Sequence, residues 1–252
     1  MRRLFAGITL FLFLFSCSHQ LSVHQINTKN ILVDTASGNI DSAIQVIVKP
    51  YSDSIVHDMS QLVTVSATPL IKGKPESKLT NLVADILLES GIKYCTSKKP
   101  DVRPDVSYVN YGGLRASLPQ GEITVGKIFE LMPFENEVVL IKVSGESILR
   151  MAERIAGRGG EGIAGMKLGI RNGKVATLLI RGNLVDPSGS YWLVTNDYIA
   201  SGGDQMGMFS DVADRINTNL KIRDVLIETL RERYKRDGMI DVKEDGRIYN
   251  EQ

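Results

Sequence analysis

Apolar positions recur along this chain with two periods, and each period predicts its own kind of element. At helical spacing, Leu79, Leu82, Val83, Ile86 and Leu87 form a full stripe, which Ser90-Gly91 is expected to end. Ile222, Val225, Leu226, Thr229 and Leu230 repeat that spacing in a last helix stopped by Asp237-Gly238. A looser pattern through Ile44, Ile47, Val48, Ile55 and Met59 predicts a helix interrupted by Pro50. Two shorter helices are predicted, one over 124–131 with Thr124 as cap and Pro133 beyond it, and one through Ile148, Ala152 and Ile155.

Strand-like stretches lie between these helices. Residues 61–68 alternate, 137–143 are strongly β-branched, and 106–109 and 191–195 are short apolar runs. Asn172-Gly173 between 167–170 and 175–180 is a hairpin signal, and the glycine-rich segment 157–165 reads as a loop. Helices and strands are mixed without strict βαβ alternation. The pattern therefore predicts an α+β domain, with sheet covered by helices.

The first residues follow a different logic. Met1-Arg2-Arg3 is basic, and 4–15 is an apolar run of signal-peptide length, too short to span a bilayer comfortably. Leu14-Phe15-Ser16-Cys17 resembles the lipobox at which bacterial lipoprotein precursors are cut and acylated, the alternative being an ordinary secretory signal. Residues 1–17 are thus expected to be a lipoprotein signal ending at Cys17, and the polar stretch 18–39 a tether. Residues 40–250 are expected to form the domain. A lipidated Cys17 leaves Cys95 as the one remaining thiol, so no internal disulfide forms, and Cys95 reads as a buried small hydrophobe.

Charge narrows the partners. The formal net charge is +1, with no basic run, so nucleic acid is not an expected partner. Candidate chemistry sits instead in two glycine pairs that each follow a predicted strand. Asn110-Tyr111-Gly112-Gly113-Leu114-Arg115 brings a guanidinium beside backbone without Cβ atoms, a device suited to a small anion. Tyr198-Ile199-Ala200-Ser201-Gly202-Gly203-Asp204 ends in a carboxylate able to accept from paired hydroxyls such as a ribose diol. Either pair taken singly also reads as an ordinary turn. Phe134, in Pro133-Phe134-Glu135-Asn136, and Tyr198 are aromatics beside loops. Each alone reads as core, and together they read as the two faces of a base sandwich.

These three motifs, in this order and spacing, resemble the C-terminal domain of the 5'-nucleotidases, with similarity from about Ile40 to about Tyr249. The resemblance implies a layered α/β/β/α arrangement of mixed sheets and helices. It also implies roles: Phe134 and Tyr198 clamp the base, Asn136 and Asn110 stand near it, Asp204 binds the ribose, and Arg115 binds the phosphate. Gly112, Gly113 and Gly203 are the motif glycines of this substrate-binding set.

Members also carry arginines just before the helix that here starts near Glu76, where this chain has Lys72, Lys74 and Lys78. Full members hold a divalent metal pair in an N-terminal metallophosphoesterase domain. This sequence has only His19, His24 and His57 and none of the usual Asp/His motifs, so neither a cofactor nor a metal is expected in this chain. The metal pair is expected on a separate metallophosphoesterase partner. The expectation is a nucleotide-binding half of a split 5'-nucleotidase, lipid-anchored to a bacterial membrane and facing periplasm or exterior. The alternatives are a non-catalytic nucleoside or nucleotide binder, or a structural interaction module.

Overall fold

A computed structural model describes residue 23 and residues 25–30 and 41–251. The expected signal segment, its Cys17 and most of the expected tether lie outside these residues. The chain divides into two compact units, Met1–Val48 and Lys49–Gln252. Helix α1 (Ser42–Ser60) begins in the first and ends in the second, and none of its residues is buried. Pro50 lies inside α1 rather than interrupting it. On an exposed helix, the carbonyl left without a donor is open to water. Among the described residues no helix is long and apolar enough to cross a membrane.

The second unit is built around a five-stranded sheet. Its members are β2 (Val106–Val109), β4 (Glu137–Ser144), β5 (Gly162–Ala164), β9 (Ser190–Asn196) and β10 (Arg215–Lys221), in the order β10-β4-β9-β2-β5. Strand β2 runs parallel to β9, with Val106 opposite Leu193, and the other pairings are antiparallel. A second sheet has the order β11-β6-β7-β8, from β6 (Met166–Arg171), β7 (Lys174–Ile180), β8 (Asn183–Leu184) and β11 (Ile248–Asn250). Strand β1 (Leu62–Ser66) pairs separately with β3 (Gly121–Thr124).

Burial on both faces makes the five-stranded sheet central. On β4, Val138 and Leu140 enter one core with α2 (Lys78–Lys98), α3 (Val125–Leu131) and α6 (Ile222–Asp237). Val139, Ile141 and Val143 enter a second core with β6, β7 and α4 (Gly145–Gly157). This explains the unbroken β-branched run at 137–143, because a strand covered on both sides has no polar face to alternate. Each such side chain contributes roughly 1.5–3 kcal/mol by burial. Helices thus cover one face of the central sheet and the second sheet covers the other, and α4 touches both β4 and β7.

Several local expectations hold. The Asn172-Gly173 turn joins β6 to β7, with φ of 53° and 73° as a primed turn requires. Cys95 is buried and free as expected, and α2 is capped by Ser77 through a reciprocal pair with Thr80, a cap the sequence pattern had not suggested. Two further expectations fail. Helix α2 does not stop at Ser90-Gly91 but continues to Lys98, because Gly91 is a packing position. A Cβ there would lie 2.6 Å from Val194 Cγ2 of β9. The stretch 157–165 is not all loop, since 162–164 pair with β2 as strand β5.

Candidate functional site

Topology brings the three sequence motifs to one end of the central sheet. Parallel neighbours β2 and β9 both run toward that end, so Asn110 after β2 and Asp197 after β9 emerge side by side. Strand β4 is antiparallel to β9, with Val138 opposite Asn196, so the loop entering β4 begins there too. A cleft of about 430 Å³ opens between them, lined by Asn110, Gly112, Gly113, Phe134, Asn136, Tyr198 and Asp204. Phe134 and Tyr198 are 45% and 52% exposed, so neither ring is spent on the core.

The first loop is a single 3₁₀ turn, Tyr111–Gly113. Neither of its glycines takes a positive φ. Arg115 does not line the cleft: its Nη1 donates to the carbonyl of cleft-lining Gly112 at 3.3 Å. Two lysines flank this loop, with Lys72 Nζ 3.9 Å and Lys74 Nζ 4.9 Å from the centre of the Tyr111 ring. Burial first, then the charges of Arg115 and Lys74, lower the Lys72 ammonium from its ordinary value. Lys78 instead turns to Thr68 Oγ1 at 3.0 Å.

The second loop follows a one-turn helix, α5 (Asp197–Ala200), capped by Asn196, whose Oδ1 accepts from Ile199 N at 2.7 Å. Gly203 lies outside the cleft lining but makes its shape possible. A Cβ at Gly203 would fall 2.5 Å from Tyr198 Cε2, so any other residue would displace that ring. Tyr198 Oη in turn accepts from Asp204 N at 3.0 Å. Asp204 and Gln205 both hold left-handed backbone, with φ of 54° and 63°.

Arg158 and Glu161 were not singled out by sequence, yet they stand behind these loops. Arg158 donates to Asp204 O at 2.8 Å and pairs with its Oδ1 at 3.0 Å, while its Nη1 donates to Glu161 Oε1 at 3.0 Å. Glu161 is 3% exposed and accepts from Tyr108 Oη and, at 3.4 Å, from Tyr111 N. Burial opposes the Arg158 charge, but bonding to Glu161 and Asp204 outweighs it and raises its pKa. Burial and then the Glu161 charge push the Tyr108 hydroxyl well above its ordinary value, which keeps it a donor. An acidic residue inside an apolar, glycine-rich stretch is the sequence signal here, and by itself it does not separate a buried Glu161 from a solvated one.

A third segment is pinned from outside the cleft. Glu135, between Phe134 and Asn136, forms ion pairs with Lys221 and Arg223 where α6 begins. Hydrogen bonds from Lys221, then Arg223, bring its carboxyl down to about 2.

Comparison with known proteins gives this geometry a lineage. The family model described as 5'-nucleotidase, C-terminal domain matches residues 63–211. The chain belongs to that family. Among relatives of this 5'-nucleotidase domain, Protein UshA of Salmonella pullorum is 28% identical over 133 residues, covering 51% of this chain and 24% of UshA. A 5'-nucleotidase of Vibrio vulnificus is 25% identical over 207 residues, covering 80% of this chain and 36% of the relative. The crystal structure of the Thermus thermophilus 5'-nucleotidase precursor shares the fold, with a TM-score of 0.69 at 23% identity over 83% of this chain and 43% of that one. The chain thus spans less than half the length of these relatives. Among the described residues, no group of three or more His, Cys, Asp or Glu side chains could hold a metal ion, so they do not fit the metal pair that the family resemblance implies.

Proposed function

We propose that this chain is the nucleotide-binding half of a split extracytoplasmic 5'-nucleotidase. The convergence of Asn110, Phe134, Asn136, Tyr198 and Asp204 on one cleft, in a chain of this family, carries the reading. Two exposed aromatic faces suit a planar base, each stack being worth roughly 1–3 kcal/mol. Asn136 offers a donor and an acceptor to base edges, and the Asp204 carboxylate accepts from ribose hydroxyls. Arg115 supplies the fork for a 5'-phosphate, with Lys72 and Lys74 adding charge beside it. These groups bind and orient the substrate, and orientation is what a binding half contributes to hydrolysis. The metal pair belongs, on this reading, to a separate metallophosphoesterase chain. Residues 40–250 form the domain, and lipid on Cys17 holds it to a bacterial membrane facing periplasm or exterior.

Isothermal titration with adenosine and AMP tests the binding assignment. Asp204→Ala is expected to weaken adenosine by about 1.5–3 kcal/mol, the range for a hydrogen bond to a charged group. Arg115→Ala is expected to weaken AMP far more than adenosine. Equal losses for both ligands from Arg115→Ala would contradict the phosphate role, and no heat with either ligand would defeat the reading as a whole.

A further inference from the structure

Asp204 and Gln205 are consecutive non-glycine residues in left-handed backbone, a conformation that costs each of them roughly 1–2 kcal/mol. Such strain persists only where the surroundings hold it in place. Here the end of α4 does so. Arg154 donates to Gln205 Oε1, and Arg158, four residues on, grips Asp204 by both its carbonyl and its carboxylate. Arg158 is itself fixed by the buried Glu161, which also takes Tyr111 N of the first glycine loop and the Tyr108 hydroxyl of β2. One hydrogen-bonded chain therefore runs from Asp204 through Arg158 and Glu161 to Tyr111.

We infer that Arg158 is a positioning residue: with Glu161 it sets the Asp204 carboxylate and locks the two glycine loops in the geometry that accepts a ribose diol. This rests on the nucleoside reading above and deepens it. Arg158 lies outside the cleft lining. Arg158 holds Oδ1 of Asp204 at 3.0 Å, which on this inference leaves Oδ2 to accept from the diol. Binding energy from the diol is then obtained without ordering the loop at the moment of binding, which is how pre-organisation raises affinity. The prediction concerns selectivity: losing Arg158 should affect ligands in proportion to their use of Asp204.

Titrating the full chain with adenosine and with 2',3'-dideoxyadenosine separates this role from general loosening. Arg158→Ala is expected to weaken adenosine about tenfold, from lost charge-assisted bonding, and to leave dideoxyadenosine within about twofold. Arg158→Lys keeps the charge without the fork and is expected to fall between. Should Arg158→Ala not fold, Glu161→Gln removes the charge that orients Arg158 and is expected to reduce adenosine selectivity about threefold. Unchanged adenosine affinity in the Arg158 and Glu161 variants, or equal loss of both nucleosides, would overturn the inference while leaving nucleoside binding intact. Wild-type chain that binds neither nucleoside would instead remove the reading beneath it.

Discussion

Glu135 shows how a single exposed side chain can tie down a loop that lines the cleft. Its side chain is 58% exposed, yet it pairs with both Lys221 and Arg223 and so ties the segment carrying Phe134 and Asn136 to the start of α6. Exposed pairs are individually weak, but a network with two cations is a better case than an isolated pair. The folded carboxyl sits at about 2 against an ordinary 4.5, so its contribution to stability is fully present above pH 4.5. That contribution is lost as pH falls from 4.5 toward about 2, because the unfolded chain then binds a proton that the folded chain still refuses. Thermal melts at pH 5 and pH 3 are expected to show a larger drop in Tm for wild type than for Glu135→Gln. Identical drops would mean that the carboxylate is not held by its partners. The same residue shows what sequence conveys at this scale. Pro133-Phe134-Glu135-Asn136 was legible as a loop motif, but its anchors lie 86 and 88 positions away and carry no local signature.

Elements were legible where their own periodicity was decided by burial, and illegible where a neighbour decided it. Helix α2 shows both cases within one element. Its stripe from Leu79 to Leu87 is buried as the spacing predicts, but Gly91 looked like a stop and is a contact point. Gly91→Ala sets two effects against each other. Helix propensity favours Ala by about 1 kcal/mol. The added methyl would stand 2.6 Å and 3.0 Å from the two Cγ atoms of Val194, which is fully buried and has nowhere to retreat. Overpacking of this kind costs about 1–3 kcal/mol, so the net expectation is destabilisation. Urea unfolding should show a lower midpoint at an unchanged slope, and an equal or higher midpoint would refute the packing role. Strands β3, β10 and β11 escaped detection for a related reason. Ile248–Asn250 is three residues long and becomes a strand only by pairing with β6, and Arg215–Lys221 is a polar edge whose partner is β4. The glycine loops were legible because backbone requirements leave a mark on composition. The Arg158–Glu161 bracket was not, because an i,i+3 charge pair at a helix end looks the same whether it is solvated or buried.

At the scale of the whole molecule, the candidate site is one cleft at the end of the central sheet, and no group of three or more metal-ligating side chains occurs among the described residues. The cleft offers aromatic faces, amides and one carboxylate with cations nearby, groups whose chemistry suits the proposed binding of a nucleotide. On the proposed reading such a site would contribute to hydrolysis by holding the phosphoryl group where a group of another chain attacks it. Two measurements on AMP follow. Purified full chain with added divalent metal is expected to bind AMP but release no phosphate above the uncatalysed background. The protein extracted from its native cells together with its associated proteins is expected to release phosphate, and a chelator should abolish that release. If the purified chain hydrolyses AMP as fast as the extract, the split-enzyme proposal fails and the catalytic groups lie within this chain. If neither preparation releases phosphate while both bind AMP, the partner is refuted and the protein is a capture module. In that case the cleft end near Arg115 and Lys72 would serve retention of the phosphate rather than its delivery.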